Sequence, residues 1–361
     1  MKIIKDSIHG YISLDSTYSR IIDSPEFQRL KNIEQGSFRV LYPAARHDRF
    51  IHSLGTFHLA NMFAQNFIEN IKEDLGVVIL DGSVRQQAIT RITDTFCYAA
   101  LLHDIGHAPF SHTTENFFIL KTISSVPAIN MQLSEAVKSV ATEEEYRSFD
   151  DDFVDCSPSA HEIMSATMLI TNADKFLGER VSNIDLELAA RMVIGCTYDY
   201  NRAGHISAEE KLLLGIKNCL IRLINSQTVD VDKLDYITRD TQMSGFNNVS
   251  IDIERLEKSV TAVRVGEEGW LYPAFRKNAL SVIDNVFRAK TEQGMWMVAH
   301  PVVLYDAELL SHCIRRLHVL IDESYVTDIF SIEALGIGGV ELSGKKYFLL
   351  SDIDILSYHQ V

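Results

Sequence analysis

Cationic side chains are in short supply in this sequence: 34 Lys and Arg face 49 Asp and Glu, leaving a formal charge of −15 at pH 7. That balance argues against an extended nucleic-acid-binding face, because neutralising a phosphate backbone takes clustered Lys and Arg. A small anionic ligand would have to be met by particular side chains or by a metal. Cysteine is scarce as well. Cys97, Cys156, Cys196, Cys219 and Cys313 stand far apart with no C-x-x-C pair, which argues against a zinc knuckle, a redox motif or a disulfide framework and leaves buried free thiols as the plain expectation. No apolar stretch approaches the roughly 20 residues that span a bilayer. The first residues, Met1 to Asp6, lack the apolar segment of a signal peptide, so a cytoplasmic location is expected. Strands alternating with helices are missing too, which disfavours a doubly wound sheet.

What is present reads as helix. Hydrophobic residues make up 46% and charged residues 23% of 361, enough for a sizeable core. The expected fold is all-α, with a helical domain over residues 1–245 and a C-terminal helical and small α/β lobe over 246–361. Ile3 to Leu14 reads as a short strand or hairpin around His9-Gly10. Ser24-Pro25-Glu26 reads as a helix start, with an N-cap and Pro at the first helical position. Apolar spacing predicts helices over Ser53–Lys72, Gln86–Asp104, Ala160–Thr171, Leu186–Cys196, Glu209–Asn225, Val231–Gln242 and Ala279–Met297. Gly266-Glu267-Glu268-Gly269 reads as a hairpin turn, and Gly336 to Leu356 as a small closing unit. The segment at about 120–157 carries Glu143-Glu144-Glu145 and Asp150-Asp151-Asp152. Such a run predicts a solvated insertion, with a lid over a site as the other reading.

Three stretches carry candidate chemistry. His103-Asp104 follows the apolar run Cys97 to Leu102, so an imidazole and a carboxylate emerge together from a buried helix, a pairing that suits first-row divalent metals. A lone His-Asp dipeptide is common; its context gives it weight. Upstream, His52 stands at the start of a helix, with Arg49 three residues before it. Downstream, Asp232, Asp235, Tyr236 and Arg239 fall three or four apart on one helix face, which a solvated face would also explain. His112 and Glu115 lie three apart, so the carboxylate can orient the imidazole.

The ordered set His52, His103-Asp104 and Asp232 matches the H…HD…D signature of the HD superfamily. Lys5 to Ile12, Arg20 to Leu30, Arg49 to Gly55, His103 to His112 and Asp230 to Asp240 resemble its deoxynucleotide triphosphohydrolase branch, which includes bacterial dGTPases and the mammalian dNTP hydrolase that joins SAM and HD domains. The resemblance implies an HD-domain fold and metal-dependent hydrolysis of a (deoxy)nucleoside triphosphate to nucleoside and triphosphate by water attack at the α-phosphorus. It implies one divalent ion (manganese, iron, zinc or magnesium) on His52, His103, Asp104 and Asp232. It makes His107, His112, Glu115 and His161 catalytic, one imidazole protonating the leaving 5′-oxygen; for each histidine a satisfied helix-end position is the bland alternative. Arg49, Lys233, Tyr236, Arg239, Asp240 and Lys290 become substrate contacts, with an intrahelical Asp235 pair the competing role for Arg239. Asp23, Gln28 and Lys31 align with an allosteric nucleotide position, although Asp23 is also a plain helix-start residue. A homo-oligomer (dimer, tetramer or hexamer) is expected.

The pattern breaks in the later pocket helix. Lys290, Gly294 and Val298 stand where the family carries Arg, His and Tyr, and the loop at Gln35-Gly36 is one residue shorter. Deoxyribose selectivity is therefore open. Two other functions compete: hydrolysis of another nucleotide, such as a monophosphate or signalling nucleotide, and nucleotide sensing without turnover.

Overall fold

The structure, a computed structural model, describes residues 1–80, 82–202, 204, 206–246, 249–321, 328–342 and 344–357. It is mainly helical, and its strands form only two-stranded antiparallel sheets. Strands β1 (Lys2–Asp6) and β2 (Gly10–Leu14) pair from Lys2↔Leu14 to Asp6↔Gly10. The turn between them is closed by Asp6, whose Oδ1 accepts from the backbone N–H of Ile8 and His9 at 2.8 Å each. Two short helices follow, α1 (Ser16–Ile22) and α2 (Pro25–Gln28), the second capped by Ser24 with Pro25 at its first position.

The body of the molecule is built from α3 (Arg49–Leu75), α4 (Val84–Leu102), α8 (Ala160–Thr171), α10 (Leu186–Ile194), α11 (Ala208–Ile224) and α12 (Val231–Ser244). Their starts follow from local chemistry. Asp48, Ser83 and Asp230 each accept a backbone N–H of the first turn, and Ser159 and Ser207 form capping boxes with Glu162 and Glu210. Gly76, Gly195 and Gly245 end their helices in the left-handed region. Helix α3 starts four residues before the expected Ser53, because Asp48 rather than the later Ser53 supplies the cap. That shift places Arg49 and His52 in its first turn.

The acidic segment departs from expectation. After α5 (Glu115–Phe118) and a minimal hairpin, β3 (Thr122–Ile123) with β4 (Val126–Pro127), it folds into α6 (Ala128–Val140) and α7 (Glu143–Phe153). Ile129, Leu133, Ala136 and Val137 lie on one face of α6 and are buried against α8 and α10. Glu143, Glu144 and Glu145 occupy the first turn of α7, where carboxylates complement the helix dipole, inside a Thr142/Glu145 capping box. Asp152 is buried and paired with Arg191 at 2.9 Å and Arg202 at 2.8 Å. The segment is therefore more than a solvated loop: Glu143, Glu144, Glu145, Asp150 and Asp151 stay exposed, while the apolar face of α6 and the Asp152 pairs join the core.

Beyond α12 come α13 (Ile253–Glu257), the hairpin β5 (Val260–Val265) and β6 (Trp270–Phe275), α14 (Leu280–Gln293) and α15 (Pro301–Ile321). The end of α14 widens into a π turn over Gly294–Val298. Strands β7 (Val340–Leu342) and β8 (Lys345–Tyr347) and a last helix, Asp352–Ser357, close the chain. One buried apolar cluster runs from Ile12 to Ile355 across residue 245. The cysteines are free; Cys97, Cys196 and Cys219 are buried, whereas Cys313 is exposed on α15, against the expectation for that thiol. Among the described residues no helix is long and apolar enough to cross a membrane.

Candidate functional site

His52 sits in the first turn of α3, His103 and Asp104 follow the last residue of α4, and Asp232 lies in the first turn of α12. Three helix ends therefore meet at one point. His52 Nε2 lies 3.0 Å from Asp232 Oδ1, 3.2 Å from His103 Nε2 and 3.6 Å from Asp104 Oδ2. His103 Nε2 lies 3.5 Å from Asp232 Oδ1 and 3.6 Å from Asp104 Oδ1.

The opposite edge of each imidazole is already committed. His52 Nδ1 donates to Asp235 Oδ2 at 2.8 Å, and His103 Nδ1 to the carbonyl of Ala100 at 2.8 Å. This fixes both Nε2 lone pairs toward the centre. Two lone pairs and two carboxylates packed this closely suit a shared cation: ligand atoms at about 2.0–2.2 Å from one first-row ion stand roughly 3.0–3.5 Å apart. The surrounding carboxylates favour positive charge at this point, whether a proton or a cation in its place. Burial disfavours a charged His52, yet hydrogen bonds to Asp232 and Asp235 push it up to about 10. His103 is raised too, against burial, by Asp104 and Asp232. Burial would raise Asp104, but the Arg49 guanidinium and the neighbouring imidazoles hold it well below the usual carboxylate range. The donor set fits a divalent metal ion.

Behind the centre stands a network of which the sequence suggested only the Asp235–Arg239 pair. Asp235, fully buried, accepts from His52, from His9 Nε2 at 2.6 Å, and from Arg239 Nε and Nη2 at 2.8 and 2.9 Å. Arg239 Nη1 continues to Asp6 Oδ2 at 2.8 Å, so the N-terminal hairpin turn braces the ligand helix. Arg239, expected to contact phosphate, is fully buried with its fork on two carboxylates. It orients Asp235 rather than facing the site, because two carboxylates buried without that guanidinium would be prohibitively costly. Gly55 permits the close approach of α3 and α12: a Cβ there would overlap the Asp235 carboxylate and Arg239.

A second cluster adjoins the first. Glu115 Oε1 receives His112 Nδ1 and His161 Nδ1, each at 2.8 Å, and lies 3.8 Å from His107 Nε2. The His107 and His161 rings stack with centroids 4.4 Å apart. His161 is set by the capping box of α8, and Gly106 lets α8 close onto the loop, since a Cβ there would meet the backbone of Met164 and Ser165. His107 is fully buried, and neither ring nitrogen has a hydrogen-bond partner among the described residues. Burial, then the Arg49 charge, hold it well below the usual imidazole value. His161 is raised instead: burial opposes its protonation, but the Glu115 hydrogen bond and charge prevail. Glu115 is lowered against its own burial by His112 and His161.

The other expected contacts divide. Arg49 is buried beside the centre, donating to Asp104 Oδ2 at 2.7 Å, to the Gln35 carbonyl at 2.9 Å and to Ser111 Oγ at 3.2 Å. Lys233 reaches Asp230 Oδ2 at 2.7 Å and the Ser226 carbonyl at 2.6 Å. Tyr236 lies half-buried along the same helix, its hydroxyl held protonated by burial and by Asp232. Asp240 is buried between His47 Nε2 and Gln293 Nε2, each at 2.6 Å, two partners that the motifs did not single out. Lys290 lies half-buried on α14, one turn before Gln293. Gln28 accepts from Lys31 at 2.7 Å and donates to the Ile22 carbonyl at 2.5 Å, and Asp23 is paired with Lys2 at 2.5 Å. Besides His107, the buried Gln35 Oε1 and His47 Nδ1 have no hydrogen-bond partner among the described residues.

No protein-family model matches the chain. It is 30% identical to the deoxynucleoside triphosphate triphosphohydrolase SAMHD1 of Gallus gallus over 270 residues, 74% of this chain and 38% of that one. An uncharacterized protein of Methanocaldococcus jannaschii is 40% identical over 147 residues, 39% of this chain and 28% of its own length. The uncharacterized protein YwfO of Bacillus subtilis is 23% identical over 363 residues, covering 99% of this chain and 66% of that protein. The chain thus spans well under half the length of the first two of these relatives.

Proposed function

Since the chain belongs by sequence with the HD-domain proteins of the deoxynucleotide triphosphohydrolase branch, we propose that it hydrolyses a nucleoside triphosphate at the α-phosphorus, releasing nucleoside and intact triphosphate. The carrying observation is the juxtaposition of two clusters: the converging ligand atoms of His52, His103 and Asp232 with Asp104 beside them, and Glu115 with His107, His112 and His161 gathered around it.

His52, His103, Asp104 and Asp232 would hold one divalent ion, which supplies Lewis acidity toward a phosphate oxygen. Arg49, fixed at the edge of that centre, brings a permanent positive charge to the phosphates. His161, whose protonated form Glu115 favours, is the group that delivers a proton to the leaving 5′-oxygen. His107, kept neutral by burial and Arg49, presents ring nitrogens that hydrogen-bond phosphate or the attacking water. Asp240, oriented by His47 and Gln293, and Gln35 offer acceptors to a sugar hydroxyl. Lys233 and Tyr236 flank the phosphate path, and Lys290 the sugar end.

The test is incubation of purified protein with manganese, iron, magnesium or zinc and each of the eight common dNTPs and NTPs, resolving nucleoside from triphosphate, with Asp104→Ala alongside. Nucleoside plus intact triphosphate, absent in the variant, is the expected result. Orthophosphate release instead would move the reading to another phosphoester. Tight nucleotide binding without product would point to a sensor.

A further inference from the structure

The chain ends far from the HD motifs in sequence yet returns to them in space. Asp352, buried at the start of the helix Asp352–Ser357, accepts two backbone N–H groups through its two oxygens: Phe110 at 2.6 Å on Oδ1 and Glu34 at 2.9 Å on Oδ2. Both donors belong to loops that build the candidate site. Phe110 and Ser111 adopt left-handed φ values of 57° and 51° immediately before His112, a conformation that side chains other than Gly rarely take without support. On the other loop, the Glu34 carbonyl accepts from Ser111 Oγ at 2.5 Å and the Gln35 carbonyl accepts from Arg49 at 2.9 Å. A second tie runs in parallel. Arg29, fully encased, donates to the Leu350 carbonyl at 2.7 Å and to the carbonyls of Ile105 and His107 at 2.8 and 3.0 Å.

We propose that Asp352 is a positioning residue for the histidine cluster: its carboxylate clamps the left-handed Phe110–Ser111 turn to the Glu34–Gln35 loop and thereby sets His112 and Arg49 in register. A carboxylate suits the task because it alone offers an acceptor to each of two converging N–H groups. An amide presents one acceptor and one donor. The catalytic consequence rests on the hydrolase reading above; the clamp itself does not.

The experiment compares the full-length, metal-loaded protein with its near-isosteric Asp352→Asn variant, and with Asp352→Ala. It reads hydrogen exchange at the Phe110 and Glu34 amides, bound metal, and kcat and KM on whichever nucleotide the wild type hydrolyses. Exchange at one or both amides should quicken about tenfold on losing a buried hydrogen bond. The kcat should fall about tenfold or more, with KM within about twofold and metal retained. Unchanged exchange in Asp352→Asn overturns the clamp, and a kcat loss that only tracks the folded fraction overturns the positioning role. If the wild type turns over no nucleotide, the hydrolase reading fails while the exchange result still decides the clamp.

Discussion

His107 and His161 stack with ring centroids 4.4 Å apart, yet their environments shift them in opposite directions. Burial and Arg49 hold His107 well below the usual imidazole value, while Glu115 overrides burial and raises His161. A neighbouring proton donor and neutral partner are what general acid catalysis requires. The sign of the pH effect follows. A raised imidazole remains a usable acid until pH climbs past its raised value, so activity should fall along an alkaline limb that Glu115 places above the ordinary His value of about 6.5. In Glu115→Gln the support from charge is lost and the limb should move to lower pH; a pH–rate profile with an unmoved limb would remove His161 from the acid role. The metal centre makes its own prediction. Asp235→Asn leaves His52 without its carboxylate partner, and metal affinity should drop by about 10- to 100-fold, read by metal content after dialysis. Of these residues, the motifs exposed those that share a short spacing, such as His112 with Glu115. His9, His47 and Asp352 were not legible, because each reaches its carboxylate or amide partner across hundreds of residues of chain and no local pattern records the pairing.

At the scale of elements, the site exists because helix ends converge. Gly55 is the tightest point, where α3 passes the Asp235–Arg239 pair of α12. Gly55→Ala should push the two helices apart, costing about 1–3 kcal/mol as overpacking does, and lower metal occupancy along with the denaturation midpoint. Helix α6 invites a complementary test. Leu133 is fully buried on it whereas Glu144 in the next helix is exposed. Leu133→Ala should therefore cost about 2–5 kcal/mol and Glu144→Ala within about 0.5 kcal/mol of nothing, by chemical denaturation. Equal, negligible effects would restore the picture of a solvated insertion. Apolar spacing made α3, α4, α8, α10, α11, α12 and α14 legible, whereas α6, α7 and the 21-residue α15 were not assigned from sequence. The acidic segment was misread because its charges dominate composition while a periodic apolar face, Ile129 to Val137, carries the packing.

Across the whole molecule, a single apolar cluster joins elements from both ends of the chain, and Arg29 and Asp352 fasten the C-terminal residues to the histidine loop. Such continuity should make unfolding cooperative. Far-ultraviolet circular dichroism, which follows the helices, and the fluorescence of Trp270 and Trp296, both beyond residue 245, should report one coincident transition. Two separated transitions would show that the C-terminal lobe melts by itself.

The sequence alone determined the helical class, the place of most long helices to within a few residues, and the identity of the groups that can bind a metal or move a proton, because caps, periodicity and motif spacing are local properties of the chain. The tertiary structure decided which of those groups meet. Arg239 took up the competing Asp235 pair and added Asp6 to it, and Asp240 acquired His47 and Gln293. The acidic segment joined the core, and the final helix became part of the site's frame. Those outcomes depend on which surfaces are buried together and which charges must then be paired, and burial is a property of the packed molecule rather than of any stretch of its sequence.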